Sequence, residues 1–162
     1  MRKLTLTRLK ELLRYDPVTG EFRWLVRRGH VMAGAIAGSI NSVGHRQIEI
    51  DGRKYLAHVL AWFYMLGVWP ETDLDHESTV KDDNRWSNLR EASRSQNVAN
   101  TGARKNNKVG VKGVTTLPSG RFAASIKVDG KQIYLGSFDT VEAAGKAYKF
   151  RADEAFGEFA RA

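Results

Sequence analysis

Hydrophobic positions in this chain change period several times, and each change marks an element. Leu6, Leu9 and Leu13 recur at helical spacing behind Thr5, a suitable N-cap, which predicts a short helix over Leu6–Leu13. Tyr15 to Gly20 is turn chemistry, and Phe22 and Trp24 then alternate with Glu21 and Arg23 as in a short strand. After a stretch carrying Gly34, Gly38 and Gly44, residues 47–55 alternate around Asp51-Gly52, a hairpin signal. Residues 57–67 (AHVLAWFYMLG) read as an apolar helix buried on most sides and ended by Trp69-Pro70. Asp75-His76 falls on a short strand and residues 88–92 on its antiparallel partner. Ser93 followed by Gln96 is a capping box, so a helix starts at Ser93. Arg94 and Asn97 then share one face near its N-terminal end, where an anion is favoured.

The C-terminal third has its own pattern. Residues 121–128 predict a strand, Asp129-Gly130 a tight turn and residues 131–138 the return strand. Asp139 with Glu142 is expected to cap a following alanine-rich helix, and Gly157 to stop it. With a two-residue turn, Phe122, Ala124, Ile126 and Val128 share the helix-facing side with Ile133 and Leu135. Arg121, Ala123, Ser125, Lys127, Gln132 and Tyr134 share the other side, which is polar, basic and sterically open. Such a face suits a nucleic-acid groove. The alternative is an ordinary half-exposed sheet.

Composition narrows the classes. The chain has 162 residues, enough for one ordinary domain or two small ones, and is 42% hydrophobic, which argues against wholesale disorder. It has no cysteine, which excludes disulfides, thiolate metal sites and cysteine nucleophiles and fits a reducing cytosol. No apolar run is long enough for a bilayer, and the N-terminus lacks a signal-peptide core. The net charge of +8 points to a polyanionic partner. Within residues 98–112, Arg104, Lys105, Lys108 and Lys112 stand without an acid, as in a basic linker lying along a phosphate backbone.

Candidate chemistry concentrates between these parts. Asp75-His76 with Asn84, Asn88 and Asn97 brings together a carboxylate, an imidazole and carboxamides. Carboxylate and amide oxygens suit a hard divalent cation, and a histidine beside them can take a proton from water near neutral pH. On a basic protein the fitting substrate is a phosphodiester.

Four stretches carry a resemblance: Ala57 to Trp62 (AHVLAW), Asp75-His76, Asp83-Asn84-Arg85 and Asn88 to Asn97 (NLREASRSQN). The chain resembles the HNH (ββα-metal) nucleases in their phage and intron homing variant, roughly from Tyr15 to Asn100. The resemblance implies that Asp75 and Asn97 hold one Mg²⁺ or Mn²⁺, with zinc not expected from oxygen ligands alone. It implies that His76 is the general base, that Asn88 orients its imidazole, and that Arg94 contacts a phosphate. Asn84 reads as a turn residue. His58 matches the family's helix histidine without a derivable role, and His30 and His45 are expected to be exposed and unconnected. Two departures stand out: Val59 replaces an arginine, and the loop after His76 reads Glu77-Ser78-Thr79-Val80-Lys81, so Glu77 could alter metal affinity.

Residues 112–148, with their LGSFDT and EAA segments, resemble an AP2-type DNA-binding domain, a three-stranded sheet on one helix. Thr115, Leu117 and Ser119 stand where plant members often carry arginines and tryptophan, so base readout should differ. The resemblance implies DNA contacts from Arg121, Ser125, Lys127, Gln132 and Tyr134, besides those of the linker.

The combined expectation is an α+β protein: residues 1–56 as an N-terminal region, 57–101 as the ββα-metal core, 102–112 as the linker, and 113–162 as the AP2-like unit. Its partner would be double-stranded DNA, its state monomer or homodimer, and its place the cytoplasm of a bacterial host if phage-encoded. Two rival readings remain: a non-catalytic DNA binder that keeps the scaffold, and an RNA-binding domain, disfavoured by few exposed aromatics for stacking.

Overall fold

The computed structural model describes residues 4–103 and 106–161. The chain divides into two compact units, Met1–Glu91 and Ala92–Ala162. The sequence placed a break in the basic segment after residue 101. The division falls earlier because the helix that opens the second unit packs with elements of that unit.

The first unit begins with α1 (Leu6–Leu12), whose Thr5 hydroxyl accepts a hydrogen bond from Arg8 N. Leu13 is not helical but starts β1 (Leu13–Tyr15), which pairs antiparallel with β2 (Phe22–Trp24). A three-stranded sheet follows, ordered β3 (Ser39–Ile40), β4 (Arg46–Ile50), β5 (Arg53–Leu56). Its β4–β5 turn has Asp51 and Gly52 at φ +49° and +76°, the double positive φ of the turn whose twist matches the strands. The apolar helix α2 (Ala57–Leu66) packs on β4, β5 and α1. Leu9, Leu13, Phe22, Ile48, Ile50 and Leu60 are almost completely buried in the resulting core. Each such side chain contributes about 1.5–3 kcal/mol by leaving water. Then come β6 (Asp73–His76) and, after a single 3₁₀ turn over Trp86–Asn88, its partner β7 (Leu89–Ala92).

Gly20 ties the first hairpin to the β6–β7 loop. A Cβ there would collide with the backbone of Asn84 and Arg85, and its φ is +76°. The contact is reinforced by Trp86 N donating to the Pro17 carbonyl and by Tyr15 Oη donating to the Asn84 carbonyl at 2.7 Å.

The second unit opens on α3 (Arg94–Asn100), where the capping box is formed in full: Ser93 Oγ accepts from Gln96 N, and Gln96 Oε1 accepts from Ser93 N. A sheet ordered β10 (Lys131–Phe138), β9 (Phe122–Val128), β8 (Val114–Thr116) carries α4 (Val141–Phe156) on one side. Ile126 pairs with Ile133, Ser125 with Tyr134 and Lys127 with Gln132, which is the expected two-faced register. A bulge between Tyr134 and Gly136 shifts the register, and Leu135 still packs on the helix side with Ile133. Ala144, Tyr148 and Ala152, one turn apart, are the buried stripe of α4. The N-cap of α4 is Thr140, whose hydroxyl accepts from Ala143 N, rather than the expected Asp139. Asp139 instead pairs with Arg121.

Lys112 is not a free linker cation. Its ammonium donates to the carbonyls of Val98, Ala99 and Thr101 at the C-terminal end of α3. Burial lowers its pKa to about 8. Arg104 and Lys105 lie outside the described residues.

Candidate active site

β6 carries Asp75 and His76 side by side, and both are buried, each 5% exposed. The Asp75 carboxylate meets Arg90 of β7, whose Nε and Nη2 both lie 3.1 Å from Oδ2. The sequence did not anticipate this partner, although two neighbouring strands make such a pairing natural.

His76 Nε2 lies 3.3 Å from Asn84 Oδ1. Asn84 Nδ2 donates to the Asp82 carbonyl, so the amide oxygen is the atom turned toward the imidazole. Nε2 therefore carries the proton in the neutral ring, and Nδ1 carries the lone pair. Asn84 is 1% exposed and held through its carbonyl by Tyr15. Its amide oxygen is the one that faces the His76 ring, a contact that the family resemblance assigned to Asn88. Asn88 accepts from Ser78 N and donates to the Asp83 carbonyl, so it ties down both ends of the loop after His76. Its placement on the 3₁₀ turn before β7 turns its amide into that loop rather than toward the ring.

Burial is the first cause acting on His76 and lowers its pKa from the usual histidine value; the Asn84 hydrogen bond and the Asp75, Asp83 and Asp82 charges act against it. The neutral, proton-accepting ring is thereby favoured at neutral pH.

His45 and His58 complete the surroundings, and here the expectation for His45 is corrected. His45 is half-buried and stands with His58 and His76 in one cluster, their ring centroids 5.1, 5.7 and 4.8 Å apart in the order 45–58, 45–76 and 58–76. It comes from the turn before β4, and His58 from the first turn of α2. Burial pushes the His58 pKa down to about 3 and lowers that of His45 as well. His30 is exposed, as expected.

Residues 55–99 match the HNH endonuclease family model. The matched segment contains His58, Asp75, His76, Asn84, Asn88, Arg94 and Asn97, and leaves out His45 and the sheet of the second unit. No curated protein matches the chain. Among solved structures, it is similar to one described as "DNA binding and cleavage by the HNH homing endonuclease I-HmuI", with a TM-score of 0.46 and 18% identity over 90% of this chain and 82% of that one.

The remaining site candidates lie in the second unit. Arg94 is exposed and Asn97 half-buried on α3. Arg94, Lys108, Ser125, Lys127 and Gln132 line one cleft of about 960 Å³. Lys108, Lys127, Gln132 and Tyr134 are exposed, and Gln132 donates to Ser125 Oγ at 2.7 Å. Arg121 is partly engaged, through Asp139 and the Ser137 carbonyl. Among the described residues, no helix is long and apolar enough to cross a membrane.

Proposed function

We propose that this protein is a metal-dependent DNA endonuclease whose general base is His76. The carrying observation is the buried, neutral-leaning imidazole locked by Asn84 beside an anionic Asp75. His76 takes a proton from water at Nδ1, and the positive ring that results is stabilised by the Asn84 amide oxygen and the neighbouring aspartates. Asp75 is a buried carboxylate, a hard oxygen donor of the kind a divalent cation prefers. Mg²⁺ or Mn²⁺, when bound, supplies neutralisation of charge at the scissile phosphate and stabilisation of the leaving 3′ oxygen. Asn97 as second oxygen ligand and Arg94 as phosphate contact rest on the sequence motif.

The second unit is proposed as the DNA reader, AP2-like in its sheet and helix. Ser125, Lys127, Gln132 and Tyr134 form its groove face, and the shared cleft with Arg94 supports a continuous phosphate-binding surface within that unit. The Arg90–Asp75 ion pair favours the second reading, a DNA binder without catalysis, because a guanidinium competes for the carboxylate. Incubation of DNA with Mg²⁺, with EDTA, and with the Asp75→Ala and Asn97→Ala variants separates the two. Cleavage that needs the metal and both side chains supports the endonuclease; absence of cleavage on any DNA overturns it.

A further inference from the structure

The imidazole cluster is more than the general base requires. His45, His58 and His76 each offer a ligand atom, and these atoms all lie within 4.8 Å of one another. The three residues come from a turn, a helix and a strand, all in the first unit. His45 Nδ1 and His58 Nδ1 are buried with no hydrogen-bond partner, and His58 is only 6% exposed. A buried polar atom without a partner is uncommon and calls for a ligand or ion. His76 presents the tautomer a metal needs, since Nε2–H faces Asn84 and Nδ1 keeps its lone pair.

We propose that His45, His58 and His76 form a three-imidazole site for a borderline transition-metal ion such as Zn²⁺, distinct from the hard-cation position at Asp75, and that filling it silences the nuclease. Neutral imidazoles are preferred ligands of Zn²⁺, and three with one open position are a known arrangement for that ion. A tetrahedral centre with bonds of about 2.0–2.1 Å sets its nitrogens about 3.4 Å apart, so the rings draw slightly inward on binding. Aspartates near His76 favour the cation, while Lys81 near His45 opposes it. The silencing follows from one lone pair: a His76 Nδ1 that coordinates a metal cannot accept a proton from water. This part rests on the role of His76 proposed above; the binding part does not.

Titration calorimetry of the full chain with Zn²⁺ tests the site without any activity readout. One ion per chain is expected, with affinity lowered at least tenfold by His45→Ala and by His58→Gln. His45→Ala removes a half-buried side chain on a turn, so it keeps the test valid if His58→Gln folds poorly. Unchanged Zn²⁺ affinity in a folded His45→Ala protein overturns the site. In Mg²⁺-supported cleavage, added Zn²⁺ is expected to inhibit the wild type, and His45→Ala to need at least tenfold more for the same effect. Cleavage sustained by Zn²⁺ alone overturns the silencing. Zn²⁺ binding by a chain that cuts no DNA removes the endonuclease reading and leaves the binding site standing.

Discussion

Asn84 Oδ1 sits 3.3 Å from His76 Nε2, while the Asn84 carbonyl accepts the Tyr15 hydroxyl proton. One loop residue thus links the N-terminal hairpin to the orientation of the proposed base. The imidazole inherits its position from a packed core rather than from a mobile loop. This matters because a base misplaced by about 1 Å can cost about a hundredfold in rate.

The Asn84 contact predicts a shift in pH dependence. The hydrogen bond raises the His76 pKa, so Asn84→Ala lowers it further and moves the acid limb of the cleavage rate to lower pH. Asn84→Asp places a charge at the same atom and moves that limb upward. Asn88→Ala loosens the Ser78–Asp83 loop and leaves the limb where it is. Single-turnover rates measured across pH 5–8, about where a histidine titrates, check all three.

His58 predicts loss of stability in acid. Its folded pKa of about 3 lies below the unfolded value of about 6.5, so the unfolded chain binds a proton that the folded chain does not. Stability is therefore full above about pH 6.5 and falls as pH drops toward 3, by at most about 1.4 kcal/mol per unit. Urea unfolding between those limits should show a weaker slope in His58→Gln than in the wild type.

Arg90 predicts a stability change coupled to the metal. Arg90→Gln removes the guanidinium from the buried Asp75 oxygen and should cost about 3 kcal/mol. A divalent ion that binds the folded state should then raise the melting temperature of Arg90→Gln more than that of the wild type. Thermal scans with and without Mg²⁺ check this.

Two lysines predict opposite behaviour. Lys127 is exposed on the groove face, so Lys127→Ala should weaken DNA binding and lower its salt slope by about 1. Lys112 holds the end of α3, so Lys112→Ala should destabilise the second unit by about 1–3 kcal/mol and leave the salt slope nearly unchanged. Binding isotherms at several salt concentrations, beside denaturation curves, tell the two apart.

Much of the fold was legible because its signals are local. Asp51-Gly52 and Asp129-Gly130 name their turns, and Ser93 with Gln96 names its cap. Asp75 and His76 stood out because they are adjacent in sequence. What was missed depends on contacts far apart in the chain. His45 joins His58 and His76 only through packing of the β3–β5 sheet against α2, and nothing near it in sequence marks it. Asn84 and Asn88 are both amides flanking one loop, and only the fold of that loop decides which one meets the ring. Lys112 looks like any linker cation until α3 presents it with three carbonyls. The bulge between Tyr134 and Gly136 was not visible in an alternating pattern, although Leu135 packs on the helix side beside Ile133 as that pattern indicates.

The most direct test of the central claim is the single-turnover rate of DNA cleavage in Mg²⁺ for wild type and His76→Ala, with folding of both verified. A general base contributes about 10²–10⁴-fold, so His76→Ala should cut at least about a hundredfold more slowly. A folded His76→Ala protein that cuts at the wild-type rate would contradict the assignment.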